Sequence, residues 1–250
     1  MKQYFDFSGK VALVTGGSRG LGAAISRAFA EQGANVVIAI RNAESCEQLA
    51  AEIEAEYGVQ ELAVGAHLGR WDDIDRLAEA AYARFGKVDI LVNNAGMSPL
   101  SDGTLGTPEA LFDKVIGVNF KGPFRMTALV ASRMAEGDGG SIINISSIGS
   151  IRPQPEYAPY SGAKAALNAV TIAHAFEYAP KVRVNAILPG SFRTDIAKAW
   201  SPDKAQNIKS AIKRYGEPEE IVSTVLYLAS EHSSFTTGAL TYSMVMLSAL

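Results

Sequence analysis

Residues 11–22 read Val11-Ala12-Leu13-Val14-Thr15-Gly16-Gly17-Ser18-Arg19-Gly20-Leu21-Gly22, and an amphipathic stretch follows as far as Gly33. The apolar run has the length of a buried strand, and the stretch after it has helical spacing. The glycines stand between the two. A Gly-rich turn there lets backbone approach a pyrophosphate, and the helix N-terminus favours its negative charge. The bland alternative is a tight β–α turn that holds no ligand. The glycines at 16, 20 and 22 differ from the G-x-G-x-x-G spacing, and no Gly-Lys-Ser/Thr ending marks a nucleoside triphosphate loop.

Outward from this unit the pattern repeats. Strand-like runs lie at 11–15, 35–40, 62–66, 90–93, 141–146 and 183–188, separated by helical stretches at 20–32, 44–57, 72–85, 108–135 and 157–179. Such alternation predicts a parallel sheet with helices on both faces. Right-handed crossovers make it doubly wound, with ligands at the carboxyl ends of the strands. No repeat or linker interrupts the chain. The expected fold class is α/β, a single-domain doubly wound parallel sheet (Rossmann fold) over 1–250.

Composition narrows the function. A net charge of −3 offers no basic field for nucleic acid. No apolar run approaches the roughly 18 residues of a membrane span. The first ten residues lack the apolar stretch of a signal peptide, so a soluble, cytoplasmic protein is expected. Cys46 is the single cysteine and excludes an internal disulfide. His67, His174 and His232 have no zinc-site spacing, so no metal is expected.

Tyr160 and Lys164 are four residues apart in the predicted 157–179 helix and share a face. A phenol of pKa near ~10 is a poor catalyst at neutral pH. A neighbouring ammonium stabilises the phenolate and brings it towards the useful range. Read alone, the pair is equally a partly buried Tyr beside a solvated Lys.

Five segments remove that ambiguity. Thr15–Gly22 resembles a TGxxxGxG turn, and Asn93-Asn94-Ala95-Gly96 an NNAG. Val118-Asn119-Phe120-Lys121-Gly122 carries a helix asparagine. Ser146-Ser147 precedes Tyr160-x-x-x-Lys164, with Ser147 thirteen residues ahead of the tyrosine, and Pro189–Thr194 matches PGxxxT. In this order and spacing, residues from about 8 to 238 resemble the classical short-chain dehydrogenase/reductase family.

The resemblance implies an oxidoreductase. Tyr160 would protonate the substrate carbonyl as hydride arrives from a nicotinamide, and act as base in reverse. Lys164 would lower the Tyr160 pKa and bind the nicotinamide ribose. Ser147 would hold the substrate oxygen, and Asn119 would anchor a water chain that resupplies protons. Ser146 is the rival of Ser147 and Tyr157 that of Tyr160, but Tyr157 meets Ser161 four residues on, not a lysine.

The cofactor would lie on Gly16, Ser18, Arg19, Gly20, Leu21 and Gly22. Asn94, Ala95 and Gly96 would line the adenine ribose. Pro189, Gly190 and Thr194 would flank the nicotinamide, with Tyr160 and Lys164. The second strand ends Ile40-Arg41-Asn42 without an acid. A free ribose diol wants an acid there, whereas a 2′-phosphate wants arginine. Arg19 and Arg41 therefore predict NADP(H), although each read alone is a surface charge. At the adenine, His67 and Leu68 stand where the family has Asp, so that contact is expected to differ.

Three further expectations follow. The 195–216 stretch, with Trp200, reads as a helical flap. The 108–135 and 157–179 helices carry surplus apolar residues, Phe120, Phe124, Ala165, Leu167 and Phe176, which predicts a homo-oligomer. The tail 237–250 keeps Thr-Gly but lacks the family's Asp-Gly-Gly, which bears on whether dimers pair into tetramers. The substrate class is a small carbonyl or alcohol. Rival functions are a 3-oxoacyl-[acyl-carrier-protein] reductase, which needs a basic docking patch, and a catalytically idle dinucleotide-binding regulator.

Overall fold

The structure is a computed structural model that describes residues 5–41, 43–194 and 212–243, with the side chains of 43–46 outside that description. Asn42, residues 195–211 of the expected flap with Trp200, and the tail beyond 243 lie outside the described residues.

Seven parallel strands form one sheet in the order β3-β2-β1-β4-β5-β6-β7. They are β1 Val11–Thr15, β2 Asn35–Ile40, β3 Glu61–Gly65, β4 Ile90–Asn93, β5 Gly140–Ile145, β6 Val182–Pro189 and β7 Leu240–Ser243. Among the described residues the α-helices are α1 Gly20–Glu31, α2 Ala43–Tyr57, α3 Trp71–Phe85, α4 Glu109–Ile116, α5 Gly122–Glu136, α6 Ala158–Glu177 and α7 Val222–Ala229. Strand order reverses between β1 and β4, which opens a crevice at their carboxyl ends.

Alternation along β1 explains the two layers. Ala12 and Val14 face a core with Ile25, Phe29 and Val225, whereas Val11 and Leu13 face one with Leu77, Met126 and Val130. A strand buried on both faces must be apolar throughout, and all of β1 is buried.

Two differences from the sequence pattern bear on the site. The expected 108–135 helix is interrupted by a π-helical turn at Gly117–Lys121, where the Gly122 N–H reaches back to the Gly117 carbonyl. Pro123 has no N–H for the Asn119 carbonyl four residues earlier, so a regular α-ladder cannot run through this point. The second is α7, which the pattern does not mark. Its sequence Val-Ser-Thr-Val-Leu-Tyr-Leu-Ala is apolar nearly all round, so period gives no signal.

Candidate active site

The Gly-rich turn is held by the fourth strand. Thr15 Oγ1 accepts the N–H groups of Asn94 (3.0 Å) and Ala95 (3.1 Å), and Asn94 Nδ2 donates to the carbonyls of Thr15 and Gly16, both at 3.0 Å. Gly16 N donates to the Ala39 carbonyl (2.6 Å), which sets the turn beside the end of β2 and therefore near Arg41. Gly16 and Gly20 have φ of +64° and +53°. A Cβ at Gly22 would stand 2.1 Å from the Gly16 carbonyl oxygen, so no side chain fits there.

α1 begins at Gly20 with no side-chain cap and no acid in its first turn. Its leading N–H groups and positive dipole end are thus left for an anion. Exposed Arg19 precedes it, and Arg19, Gly20, Arg193, Thr194 and Tyr215 line one cleft of about 740 Å³. These features fit a dinucleotide pyrophosphate. Gly190 is tied to β7 through its N–H on the Ser243 carbonyl (3.0 Å). Leu21 packs partly against the core. Ser18 and Gly190 are half-buried, and Gly96 and Arg41 are exposed.

At the expected adenine end, His67 and Leu68 are both engaged within the chain. His67 Nδ1 accepts the Gly69 N–H (3.1 Å), which leaves Nε2 as the ring nitrogen that can donate. Leu68 is buried in the core, which leaves backbone rather than side chain to meet a ligand.

At the other end of the crevice the two serines have different surroundings. Ser146 is buried, with Oγ on Asn168 Oδ1 at 2.6 Å, whereas Ser147 is half-buried and its hydroxyl acts on the Tyr160 phenol. Tyr157 contacts the Tyr160 ring edge-on with centroids 6.2 Å apart. Lys164 is buried, its Nζ 6.0 Å from the Tyr160 ring centre and donating to the Ile145 carbonyl at 2.6 Å.

The ionisation pattern differs from the expected one. Burial pushes the Tyr160 phenol up, and the group that pulls it down is the Ser147 hydroxyl rather than Lys164. Burial has driven the Lys164 ammonium itself down to about 7. A desolvated lysine holds its proton weakly, so near neutrality its charge is marginal.

Asn119 sits fully buried in the π-helical turn. Its Nδ2 donates to the carbonyls of Met97 and Val115, both at 2.9 Å, and its Oδ1 accepts the Met97 N–H at 3.1 Å. It thereby fixes the loop after β4. That loop is also clasped by Ser101, whose N–H bonds the Glu156 carbonyl at 2.9 Å. Two flanks of the cleft are thus tied together before any ligand arrives.

Sequence reasoning missed a buried polar ladder. Asn93 Nδ2 donates to Thr127 Oγ1 (3.0 Å) and Asn144 Oδ1 (2.9 Å), and Asn144 Nδ2 donates to Thr171 Oγ1 (2.8 Å). The signal was available as Asn93 and Asn144 at matching ends of adjacent parallel strands, where they pair in register. Among the described residues no group of three His, Cys, Asp or Glu could hold a metal, and no helix is long and apolar enough to cross a membrane.

A Gly-rich turn at a strand-order reversal in a parallel sheet defines a doubly wound, dinucleotide-binding class of fold. The short chain dehydrogenase family model matches residues 10–205, and the chain belongs to that family. Dehydrogenase/reductase SDR family member 4 of Homo sapiens is 36% identical over 234 residues, covering 92% of this chain and 84% of that protein. L-sorbose reductase of Gluconobacter frateurii, solved with NADPH and L-sorbose, superposes with a TM-score of 0.91, at 28% identity over 98% of this chain and 99% of its own. A 3-ketoacyl-(acyl-carrier-protein) reductase of Brucella melitensis, solved with NADH, gives a TM-score of 0.86 at 34% identity, covering 96% of this chain and 98% of that one.

Proposed function

We propose that this chain is an NADP(H)-dependent oxidoreductase that interconverts a carbonyl and a secondary alcohol, acting as one domain in a homo-oligomer. The observation that carries the reading is buried Lys164, its Nζ 6.0 Å from the Tyr160 ring centre, on the helix that faces the Ser147 loop. The bound nicotinamide dinucleotide would supply or accept the hydride. Tyr160 gives its proton to the carbonyl oxygen in reduction and takes one from the alcohol in oxidation. Ser147 donates to the same oxygen as negative charge develops there. Lys164 would hold the nicotinamide ribose, and Asn119 keeps the Met97 loop in place.

For the 2′-phosphate, the support is an acid-free end of β2 with Arg41 after it and Arg19 on the adjoining turn. The NADPH bound to L-sorbose reductase is consistent with this, whereas the Brucella reductase was solved with NADH. For assembly, the support is Phe124 and Phe176, which stay exposed on α5 and α6. Leu167, expected on that surface, is buried in the chain's own core.

The acyl-carrier reading is favoured by the Brucella relative but lacks free basic charge on α5. Arg133 stacks on Tyr82 and pairs with Glu79, and Arg125 stacks on Trp71 and pairs with Asp75. The idle-regulator reading would leave the filled Ser147, Tyr160 and Lys164 positions without a task. The test is turnover of 2,3-butanedione, benzaldehyde, cyclohexanone and 2-propanol with NADP(H) and NAD(H), read by nicotinamide absorbance. Turnover with the phosphorylated cofactor supports the reading, and no turnover with either would overturn it.

A further inference from the structure

We propose that Asn168 is the positioning residue for Ser147, a buried carboxamide that staples together the two sides of the loop carrying that serine. The proposal rests on the catalytic reading of Ser147 given above.

The loop after β5 leaves the sheet at Ile145 and makes a three-residue 3-10 turn, Ile148–Ser150. So short a turn has few bonds of its own to hold it in place. Its attachment to the body comes from α6. One helical turn beyond Lys164 stands Asn168, 7% exposed. Ser146 Oγ donates to Asn168 Oδ1 at 2.6 Å, and Asn168 Nδ2 donates to Ser150 Oγ at 2.8 Å. One side chain thus grips the residue before Ser147 and the residue three after it.

The grip is passed inward. Ser150 Oγ donates to the Ser147 carbonyl at 2.6 Å, and the Gly149 N–H donates to Ser147 Oγ at 3.0 Å. With one lone pair of Ser147 occupied by a fixed backbone donor, its own proton is left for another acceptor, and the hydroxyl draws the Tyr160 pKa down. Lys164 and Asn168 lie four apart on one helix face, so the same face fixes Ile145, Ser146 and Ser150. Neither Asn168 side-chain bond reaches the cleft, so its action on the chemistry runs through Ser147.

A satisfied core amide would have the same burial, and a double-mutant cycle separates the two roles. The variants are Asn168→Ala, Ser147→Ala, the pair together, and Ser150→Ala, assayed with NADPH and whichever panel carbonyl turns over. Misplacing a catalytic group by a fraction of an ångström is costly, so Asn168→Ala should lower kcat roughly tenfold. NADPH affinity, read by fluorescence titration, should stay within about twofold of the parent. In the Ser147→Ala background the same substitution should cost no more than about twofold.

Ser150→Ala, which removes only the loop-side anchor, should lower kcat in the same direction and covers the case in which Asn168→Ala fails to fold. Equal losses with and without Ser147, or no loss of kcat in either anchor variant, would overturn the positioning role. If Ser147→Ala alone leaves turnover intact, the catalytic reading itself fails and the proposal falls with it.

Discussion

The Gly-rich turn at 16–22 and the cleft around Ser147, Tyr160 and Lys164 open at the same end of one sheet, yet they are held by different means. The turn is built from backbone. Its glycines sit where φ is positive or where a Cβ would strike a carbonyl, and its outside partners include the Ala39 carbonyl and the Asn94 side-chain amide. The cleft is built from side chains that reach across elements, from α6 to β5 and from the π-helical turn to the loop after β4. A backbone site tolerates no added atom but needs few particular side chains. A side-chain site tolerates small shifts yet depends on every hydroxyl and amide in its support.

The largest effect should come from the cleft. Tyr160→Phe removes one oxygen and leaves the turn untouched, so kcat should fall by about 10² to 10⁴-fold while NADPH affinity holds. Steady-state kinetics with a fluorescence titration checks both halves. A Phe variant that retained most of its turnover would break the contrast at its catalytic side.

Gly22→Ala tests the other side. The added methyl would meet the Gly16 carbonyl at 2.1 Å, and backbone must move to admit it. Overpacking of this kind costs typically about 1–3 kcal/mol, and here the distortion falls on the cofactor cradle. NADPH binding should weaken by on the order of tenfold or more, with a lower melting temperature. Unchanged affinity would mean that the turn does not carry the pyrophosphate.

Arg41→Asp is expected to act more narrowly. A charge-assisted phosphate contact contributes roughly 1.5–3 kcal/mol, so the preference for NADPH over NADH should fall at least about tenfold and reverse. Dissociation constants that are equal in the parent chain would instead leave Arg41 a surface charge.

The smallest expected effect is far from both sites. Glu61, on the edge strand β3, has both carboxyl oxygens buried without a partner, and burial with the nearby Glu54 raises its pKa to about 8. A carboxyl raised in the folded state holds its proton while the unfolded chain loses it near 4.5. Stability from this group is therefore complete below pH 4.5 and is lost as pH rises towards about 8. Glu61→Gln should match the parent in melting temperature near pH 4.5 and exceed it at pH 8, and a pH-independent difference would contradict the assignment.

The strands were largely legible because each is apolar and bounded by turn residues. β1, β2 and β4 have the expected bounds, and β3, β5 and β6 shift at their ends by a residue or so. The π-helical turn was not, since Val118, Asn119 and Phe120 fit an α-helical pattern and only Pro123 hints otherwise. The Tyr160 and Lys164 pairing could be read from spacing, but the direction of their pKa shifts could not. Those shifts depend on burial, which comes from elements distant in sequence.

Sequence alone determined the parallel alternation, the glycine turn, the missing acid at the end of β2 and the Tyr160–Lys164 face. Each is set by residues within a few positions of one another, where local geometry is enough. Tertiary structure decided that Ser146 is tied to Asn168, which nitrogen of His67 is free to donate, and that Asn93, Asn144 and Asn168 belong to buried networks. A hydroxyl or amide has no fixed partner until folding removes water and brings a second polar group within about 3 Å.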